Sequence, residues 1–304
     1  MADAHLPAPE ELVLKLPGDR DLAARRWRPA GDGPHRPVLA LHGWMDHADS
    51  FAPIAPALTG CDVVALDLPG HGFSSLDPGG DLFHFIDNVW VIHQALTALD
   101  WDQVHLLGHS MGAGLATLFA AAFSERVLSL VSLDMVGPVS SGTDEMVEQL
   151  RKGALARAAR ERRQRYFATR DEVLAARHNE HFPLALCEML ADRGIEQTER
   201  GWTWRGDRRL KWASLQRYTH DQVTSALAAV TCPTLIVIAE INRYPQAKSL
   251  FQHRSELIAR STVVTLPGSH HLHMEYPDKC AQTVLDFYTG LSPQTDRSAA
   301  PPDN

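Results

Sequence analysis

The sequence predicts an α/β fold: an eight-stranded, mostly parallel sheet flanked by helices, with a helical lid inserted late in the chain. Short apolar runs alternate with segments of helical periodicity, and one such run passes through a glycine-bounded serine directly into a helix. Charge-rich helical sequence interrupts the alternation once. We therefore expect a core domain over residues 10–137 and 225–290, the lid over 138–224, and flexible tails over 1–9 and 291–304.

The composition is that of an ordinary globular protein. Of the 304 residues 44% are hydrophobic, and the formal net charge of -8 gives no electrostatic reason to expect a nucleic acid or an anionic membrane as partner. No apolar run reaches the ~18 residues of a membrane span, and the first residues lack the pattern of a secretion signal. We expect a cytoplasmic monomer or homodimer with no nucleic-acid partner and no membrane span. The spacing of the cysteines indicates neither disulfides nor zinc and predicts free, buried thiols at Cys61, Cys187, Cys232 and Cys280.

The first half of the chain supplies six strands. Two runs that flank Pro17-Gly18-Asp19 predict an opening hairpin, and a short apolar strand then ends at His42-Gly43-Trp44. Helices are expected over about 50–58 and 85–99. The strands are expected over residues 11–16, 22–27, 38–41, 63–66, 104–107 and 127–133.

Beyond the lid the alternation resumes, with strands over 233–240 and 262–266 and helices near 246–258 and up to about 288. Within the lid, an arginine-rich run from Arg157 to Arg165 is interrupted by Glu161, which favours a solvated helix face over a nucleic-acid patch. Aromatic side chains of the lid either wall an acyl pocket or form the lid's own core. These are Trp202, Trp204, Trp212, Phe167 and Phe182.

The chemistry is expected at Gly108-His109-Ser110-Met111-Gly112, where a strand turns sharply into a helix. Such a turn strains the serine backbone and lifts the hydroxyl above the sheet edge. The two glycines leave room, because a Cβ at either position would crowd the neighbouring strand and helix. The helix that starts at Met111 directs free N–H groups at the same point, which suits a developing oxyanion.

A serine hydroxyl is a weak nucleophile and needs an adjacent base, so the turn predicts a histidine at another strand end. The loop after the last strand contains three, His270, His271 and His273. No acidic or cysteine partners accompany these three at metal-ligand spacing, so we expect neither a metal site nor a cofactor.

From about Glu11 to Tyr288 the chain resembles the α/β-hydrolase superfamily. The motifs that carry the likeness are His42-Gly43-Trp44, Gly108 to Gly112, and Gly268-Ser269-His270 ahead of Glu275-Tyr276-Pro277. Within the superfamily it is most similar to the serine hydrolase-like proteins. That likeness uses His42 to Asp46 with Ser50-Phe51, Asp67 through Ser75, Asp207 to Trp212, and His270 with His273-Met274.

The resemblance implies that His270 is the general base, and that His271 and His273 orient its loop or pack against it. The oxyanion donors are then expected to be the backbone N–H groups of Trp44 and Met111. His42, His71 and His109 are expected to shape loops more than to perform chemistry. Candidate residues of the substrate pocket are His42, His109, Trp202 and Trp204.

The acid of the triad departs from the pattern of the family. Most relatives carry an aspartate shortly after the seventh strand, where this chain has Ala239-Glu240-Ile241-Asn242. Asp134, at the end of the sixth strand, is the favoured replacement, because some members carry their acid there. Glu240 is the second choice, and the lack of a working acid is the third.

The sequence therefore predicts a serine hydrolase that cleaves carboxylic esters or thioesters of small molecules through an acyl-enzyme on Ser110. Two alternatives belong to other classes of protein. One is a catalytically weak hydrolase-fold protein that binds a small apolar ligand, and the other is an interaction protein that uses the arginine-rich face of the lid.

Overall fold

The computed structural model describes residues 8–18, 20–29, 31, 35–74, 84–159, 164–179, 182–241 and 245–291. Most of the two tails and Asn242 lie outside these ranges. Within the described part of the chain, no helix is both long enough and apolar enough to cross a membrane.

The described residues form twelve strands. They are β1 (Glu10–Leu16), β2 (Arg20–Trp27), β3 (Arg36–Leu41), β4 (Cys61–Leu66), β5 (Val104–His109), β6 (Val127–Leu133), β7 (Ser140–Ser141), β8 (Ile195–Thr198), β9 (Gly201–Trp204), β10 (Tyr218–Thr219), β11 (Thr234–Ala239) and β12 (Ser261–Leu266).

Eight of these strands form one sheet in the order β1-β2-β4-β3-β5-β6-β11-β12. The pairs β1–β2 and β2–β4 are antiparallel, and the five pairs from β4–β3 to β11–β12 are parallel. The predicted eight-stranded, mostly parallel sheet is confirmed. Because the parallel strands run in one direction, the loops after β3, β5, β6, β11 and β12 meet at the same edge of the sheet.

Ten α-helices accompany the strands in the same part of the chain. They are α1 (Asp87–Ala98), α2 (Met111–Ala122), α3 (Met146–Ala158), α4 (Arg170–Ala175), α5 (Leu184–Met189), α6 (Ala191–Gly194), α7 (His220–Ala228), α8 (Pro245–Ser255), α9 (Leu272–Glu275) and α10 (Pro277–Gly290).

The helix predicted over about 50–58 is wrong. Two short 3-10 helices, Ala48–Phe51 and Ala55–Ala57, occupy that stretch. Pro53 and Pro56 have no backbone N–H to donate, and their rings crowd the preceding turn, so an α-helix cannot continue through them.

Alternate residues of the central strands are buried on opposite faces of the sheet. In β3, Leu39 and Leu41 pack with α1 and α2, whereas Val38 and Ala40 pack with α10. Both faces are thus covered by helices, as expected for a largely parallel sheet. All four cysteines are free and buried, which confirms the prediction for them.

Residues 138–224, between β6 and β11, are called the insertion below. Strands β7 and β10 pair in parallel, so the chain enters and leaves the insertion side by side. The insertion has a hydrophobic cluster of its own, to which the core adds Met274. Its members from the insertion are Val173, Leu174, Phe182, Leu186, Cys187, Leu190, Ala191 and Ile195.

The arginine-rich part of the insertion does not form one solvated helix face. Helix α3 ends at Ala158, and residues 160–163 lie outside the described ranges. Arg157 stacks on the ring of Trp212 at 5.9 Å and donates to the carbonyl of Ala213, and Arg165 lies over Phe167 at 5.1 Å. The ring of Trp212 therefore covers part of the charge of Arg157, whereas Arg165 lies outside any helix and is exposed.

Candidate active site

Ser110 occupies the turn between β5 and α2 with a strained backbone. Its φ of 51° and ψ of -114° place this non-glycine residue in a region that is rarely populated. Its N–H donates to the carbonyl of Leu133 at the end of β6, at 3.0 Å. The turn is thereby held against the neighbouring strand.

The two glycines of the turn are required by close backbone approaches, as predicted. A Cβ on Gly108 would lie 2.5 Å from the Cα of Ala113 in α2. A Cβ on Gly112 would lie 1.9 Å from the carbonyl oxygen of Leu41 in β3. Any side chain at either position would push helix α2 away from the sheet and displace Ser110.

The structure brings Ser110, His270 and Asp134 into one hydrogen-bonded chain. The Oγ of Ser110 donates to Nε2 of His270 at 2.9 Å, and Nδ1 of His270 donates to Oδ2 of Asp134 at 2.7 Å. His270 lies on the base loop, defined here as residues 267–271 between β12 and α9. The 38% exposure of its side chain leaves the imidazole open toward solvent, whereas Asp134 is buried.

Asp134 is held in place by two hydrogen bonds to the neighbouring strand β11. Its N–H donates to the carbonyl of Val237 at 2.7 Å, and its Oδ1 accepts from the N–H of Ala239 at 2.9 Å. The second oxygen is thus free to face His270. Glu240, the other candidate acid, is exposed at the end of β11, and the hydrogen bond from Nδ1 of His270 goes to Asp134 instead.

The two expected oxyanion donors lie at the start of α2 and after β3. Met111 is the first residue of α2, where helix geometry leaves the N–H without an intrahelical acceptor. Trp44 lies on the β3 loop, defined here as residues 42–47. Its indole is half exposed, and Nε1 donates to the carbonyl of Leu210 in the insertion at 3.0 Å.

Comparisons with known proteins agree with this fold. The family model described as alpha/beta hydrolase fold matches residues 36–277. The chain is 30% identical to a probable serine hydrolase of Drosophila melanogaster, over 91% of this chain and 87% of that protein. It is 27% identical to a serine hydrolase-like protein of Danio rerio, over 91% and 88%. A solved structure, a hypothetical protein from Pseudomonas aeruginosa PAO1, aligns with a TM-score of 0.82 and 33% identity over 92% and 98% of the two chains.

The chain belongs to the α/β-hydrolase family. Within it, the chain is close to proteins named serine hydrolase-like, as the sequence motifs predicted. Membership of this family and the names of these relatives support a hydrolase.

The residues expected to line the pocket of this α/β hydrolase lie mostly in packed surroundings. His42 is fully buried: Nδ1 donates to the carbonyl of Gly43 at 2.7 Å, and Nε2 accepts from the N–H of Leu68 at 3.0 Å. Trp202 and Trp204 pack against the hydrophobic cluster of the insertion, and Nε1 of Trp204 donates to the carbonyl of Val173 at 2.8 Å. These contacts place the tryptophans in the core of the insertion, and their contact with substrate stays a prediction.

Several buried imidazoles surround the site and are held neutral. Burial, with lesser contributions from neighbouring charges, lowers the pKa of His42 to about 4 and that of His71 to about 3. The same cause lowers the pKa of His273 to about 3 and that of His109 well below its ordinary value. A neutral His109 uses its Nε2–H to donate to the carbonyl of His270 at 2.7 Å. The residue beside the serine thus fixes the backbone of the base.

Sequence reasoning missed two arginines of the insertion. Arg193 is buried, and its Nε donates to Asp67 at 2.8 Å while its Nη1 donates to Glu11 at 2.6 Å. Arg177 binds the carboxylate of Asp46 in the β3 loop. Little in the sequence pointed to Arg193, because Asp192 stands next to it and its partner Asp67 lies 126 residues away.

One group of described side chains has the composition of a metal site. Ligand atoms of Asp46, His109 and His271 lie within 4.8 Å of one another. In the arrangement observed, His271 donates to the carboxylate and Arg177 supplies positive charge to its other oxygen. Hydrogen bonding therefore accounts for Asp46 and for Nε2 of His271, whereas Nδ1 of His109 lies 3.7 Å from the carboxylate without a hydrogen bond.

Proposed function

We propose that this chain is a serine hydrolase that cleaves carboxylic esters, with thioesters as the related substrates, and that Ser110, His270 and Asp134 form its catalytic triad. The observation that carries the proposal is the chain of hydrogen bonds from Ser110 through His270 to Asp134, at 2.9 and 2.7 Å. The strained turn and the start of α2 beside it add support.

In the proposed mechanism, the Oγ of Ser110 attacks the carbonyl carbon of the ester while Nε2 of His270 takes its proton. A C–O bond forms, and the carbonyl π electrons move to the oxygen. The N–H groups of Met111 and Trp44 would stabilise this oxyanion. Asp134 keeps Nδ1 of His270 protonated and stabilises the imidazolium.

Collapse of the tetrahedral intermediate breaks the bond to the alcohol, or to the thiol of a thioester, which leaves with the proton from His270. Water then attacks the acyl-enzyme, with His270 again acting first as base and then as acid. The products are a carboxylic acid and free Ser110. The proposed steps use Ser110, His270, Asp134, two backbone N–H groups and one water.

The alternative of a catalytically weak ligand-binding protein drew its support from the lack of an aspartate after the seventh strand. Asp134 lies where it can act as that acid, so the geometry favours the enzyme. A negatively charged partner on Nδ1 is what a base needs in order to activate a serine at neutral pH.

The experiment is covalent labelling with a fluorophosphonate probe, run beside hydrolysis of chromogenic esters of increasing acyl length. We expect the wild type to be labelled and Ser110→Ala not to be. Ser249→Ala, at an exposed serine on α8, is the control and should be labelled like the wild type. Labelling that persists in Ser110→Ala, or a wild type that is never labelled, would contradict the proposal.

A further inference from the structure

Asp46 is a buried carboxylate that the proposed chemistry does not use. It lies on the β3 loop, two residues after Trp44, and is 2% exposed. Met45, between these two residues, has a φ of 65°, so the loop turns sharply beside the proposed oxyanion donor. A buried charge at such a position needs partners.

The first partner is Arg177, which reaches Asp46 from the insertion. Its Nη2 donates to Oδ1 of Asp46, and its Nη1 donates to the carbonyl of Met45 at 3.0 Å. The guanidinium lies between the rings of Phe182 and Trp204, at 4.7 and 4.8 Å. Two aromatic contacts and two hydrogen bonds thus fix one side chain of the insertion onto the turn of the β3 loop.

The second oxygen of Asp46 faces the histidines beside the proposed catalytic residues. Oδ2 accepts from Nε2 of His271 at 3.2 Å and lies 3.7 Å from Nδ1 of His109. His109 precedes Ser110 in the chain, and His271 follows His270. One carboxylate therefore contacts the immediate neighbours of both.

The charge of this carboxylate depends on its partners. Burial raises the pKa of Asp46, but the opposing effects of His271 and then Arg177 hold it well below its ordinary value, so the group is ionised. Removing Arg177 would leave a buried carboxylate without its cation. An unpaired buried carboxylate strongly destabilises the structure around it, which here is the β3 loop.

We propose that Asp46 and Arg177 form a clamp through which the insertion positions the β3 loop and the base loop around Ser110. This proposal rests on the proposed function. Neither residue touches the reacting atoms, so both are positioning residues. The consequence is that acyl transfer requires the insertion to be seated on the core, because the cation of the clamp comes from the insertion.

The test compares Arg177→Ala and Arg177→Lys with the wild type in ester hydrolysis and in the rate of fluorophosphonate labelling. A misplacement of ~1 Å can cost about a hundredfold in rate, so we expect kcat in Arg177→Ala to fall by about 10- to 100-fold, with KM changed less. Arg177→Lys should recover only part of this loss, because an ammonium group cannot donate in the same forked geometry.

Chemical rescue distinguishes whether Arg177 positions the site or only stabilises the fold, because added guanidinium can replace the missing side chain. Guanidinium ion at about 20 mM, far below denaturing concentrations, should raise kcat of Arg177→Ala several-fold. The matched control is Arg170→Ala, which removes another arginine of the insertion, one that pairs with Glu188 at the surface at 3.0 Å. This control should keep wild-type kcat and gain nothing from guanidinium.

His271 supplies a second, independent pair of variants. His271→Gln keeps an N–H that can reach Asp46 and should retain most of the turnover, whereas His271→Leu should lose about tenfold or more. If the Arg177 variants fail to fold, the comparison of Gln with Leu decides the proposal.

The outcomes separate this proposal from the proposed function. If the wild type is labelled at Ser110 but folded Arg177→Ala keeps its kcat, or guanidinium restores nothing, the clamp is overturned. Equal turnover of His271→Gln and His271→Leu would overturn it as well. If the wild type itself is not labelled, the proposed function has failed instead.

Discussion

Two neighbouring histidines of the base loop each bind a buried aspartate, yet their surroundings are opposite. His270 binds Asp134, and its side chain is 38% exposed, with Nε2 directed at Ser110. His271 binds Asp46, and its side chain is 14% exposed and packed against Phe182. The first pair is open to a substrate and the second is enclosed by the insertion.

This difference shows how two similar histidine–aspartate pairs can have different roles. A carboxylate behind an imidazole activates a serine only if the far nitrogen is free to accept a proton. His270 meets that condition. His271 donates its Nε2–H to Asp46, but its far nitrogen, Nδ1, is buried without a hydrogen-bond partner. The carboxylate also binds Arg177 through its other oxygen, so this second pair is suited to hold a loop. The comparison predicts that the two pairs respond differently to the loss of one charge.

The largest effect is expected from Asp134→Asn. The change keeps an oxygen for the N–H of Ala239 but removes the charge that we propose to stabilise the imidazolium of His270. We expect kcat for a chromogenic ester to fall by about a thousandfold or more, with the labelling rate reduced alike. Glu240→Gln is the matched control, because Glu240 is exposed, and it should stay close to the wild type. Full turnover in Asp134→Asn with loss in Glu240→Gln would reverse the assignment of the acid.

The buried histidines near the enclosed pair predict that the protein loses stability in acid. Burial lowers the pKa of His47, His71 and His273 to about 3 and that of His42 to about 4. In the unfolded chain these groups titrate near ~6.5. Below that pH the unfolded state binds protons that the folded state does not, so the free energy of unfolding falls as the pH drops toward about 4. Each histidine contributes on the order of 2 kcal/mol to the loss by about pH 5.

Asp49 and Asp67 act in the opposite direction, because burial raises the pKa of Asp49 to about 6 and also raises that of Asp67, so that ionising these groups costs stability at neutral pH. These two carboxyls offset only part of the loss from the four histidines. We expect the Tm to drop by ~10 °C or more between about pH 7 and about pH 5. His273→Leu should lessen this drop, while His253→Leu, at an exposed position on α8, should not. The same Tm at both pH values would refute the account.

The open side of the site was more predictable from the sequence than the enclosed side. Ser110 and His270 lie in short motifs whose geometry is local, a turn bounded by glycines and a loop after a strand. Asp134 could be favoured because β6 is adjacent to the strand that carries the serine. The turn and the order of the strands bring these residues to one edge of the sheet, and the resemblance to the α/β hydrolases assigned the base to His270 and favoured Asp134 as the acid.

The contacts of Asp46 could not be predicted in that way. Arg177 is 131 residues from Asp46 in the chain, and its side chain is placed by aromatic rings within the insertion. No sequence periodicity or motif links Arg177 to Asp46, because their contact depends on how the short helices α4 to α6 pack. The helix expected over about 50–58 failed for a local reason, because Pro53 and Pro56 within that stretch prevent an α-helix.

The smallest effect is expected from Trp44→Phe, which tests the link between the two sides. Trp44 shares the β3 loop with Asp46, and its indole donates to the carbonyl of Leu210 in the insertion at 3.0 Å. Phenylalanine lacks this donor but keeps the backbone N–H that is proposed to bind the oxyanion. A half-exposed hydrogen bond contributes about 1 kcal/mol, so we expect KM to rise by about fivefold or less with kcat nearly unchanged.

The control for this change is Trp90→Phe, at a half-exposed tryptophan of α1 that stacks on Arg20. It should leave both kinetic constants at their wild-type values. A fall of kcat by more than about a hundredfold in Trp44→Phe alone would show that the indole itself acts on the reacting atoms. The β3 loop would then take part in the reaction through the side chain of Trp44, and it could no longer be described as a loop that only positions the reacting groups.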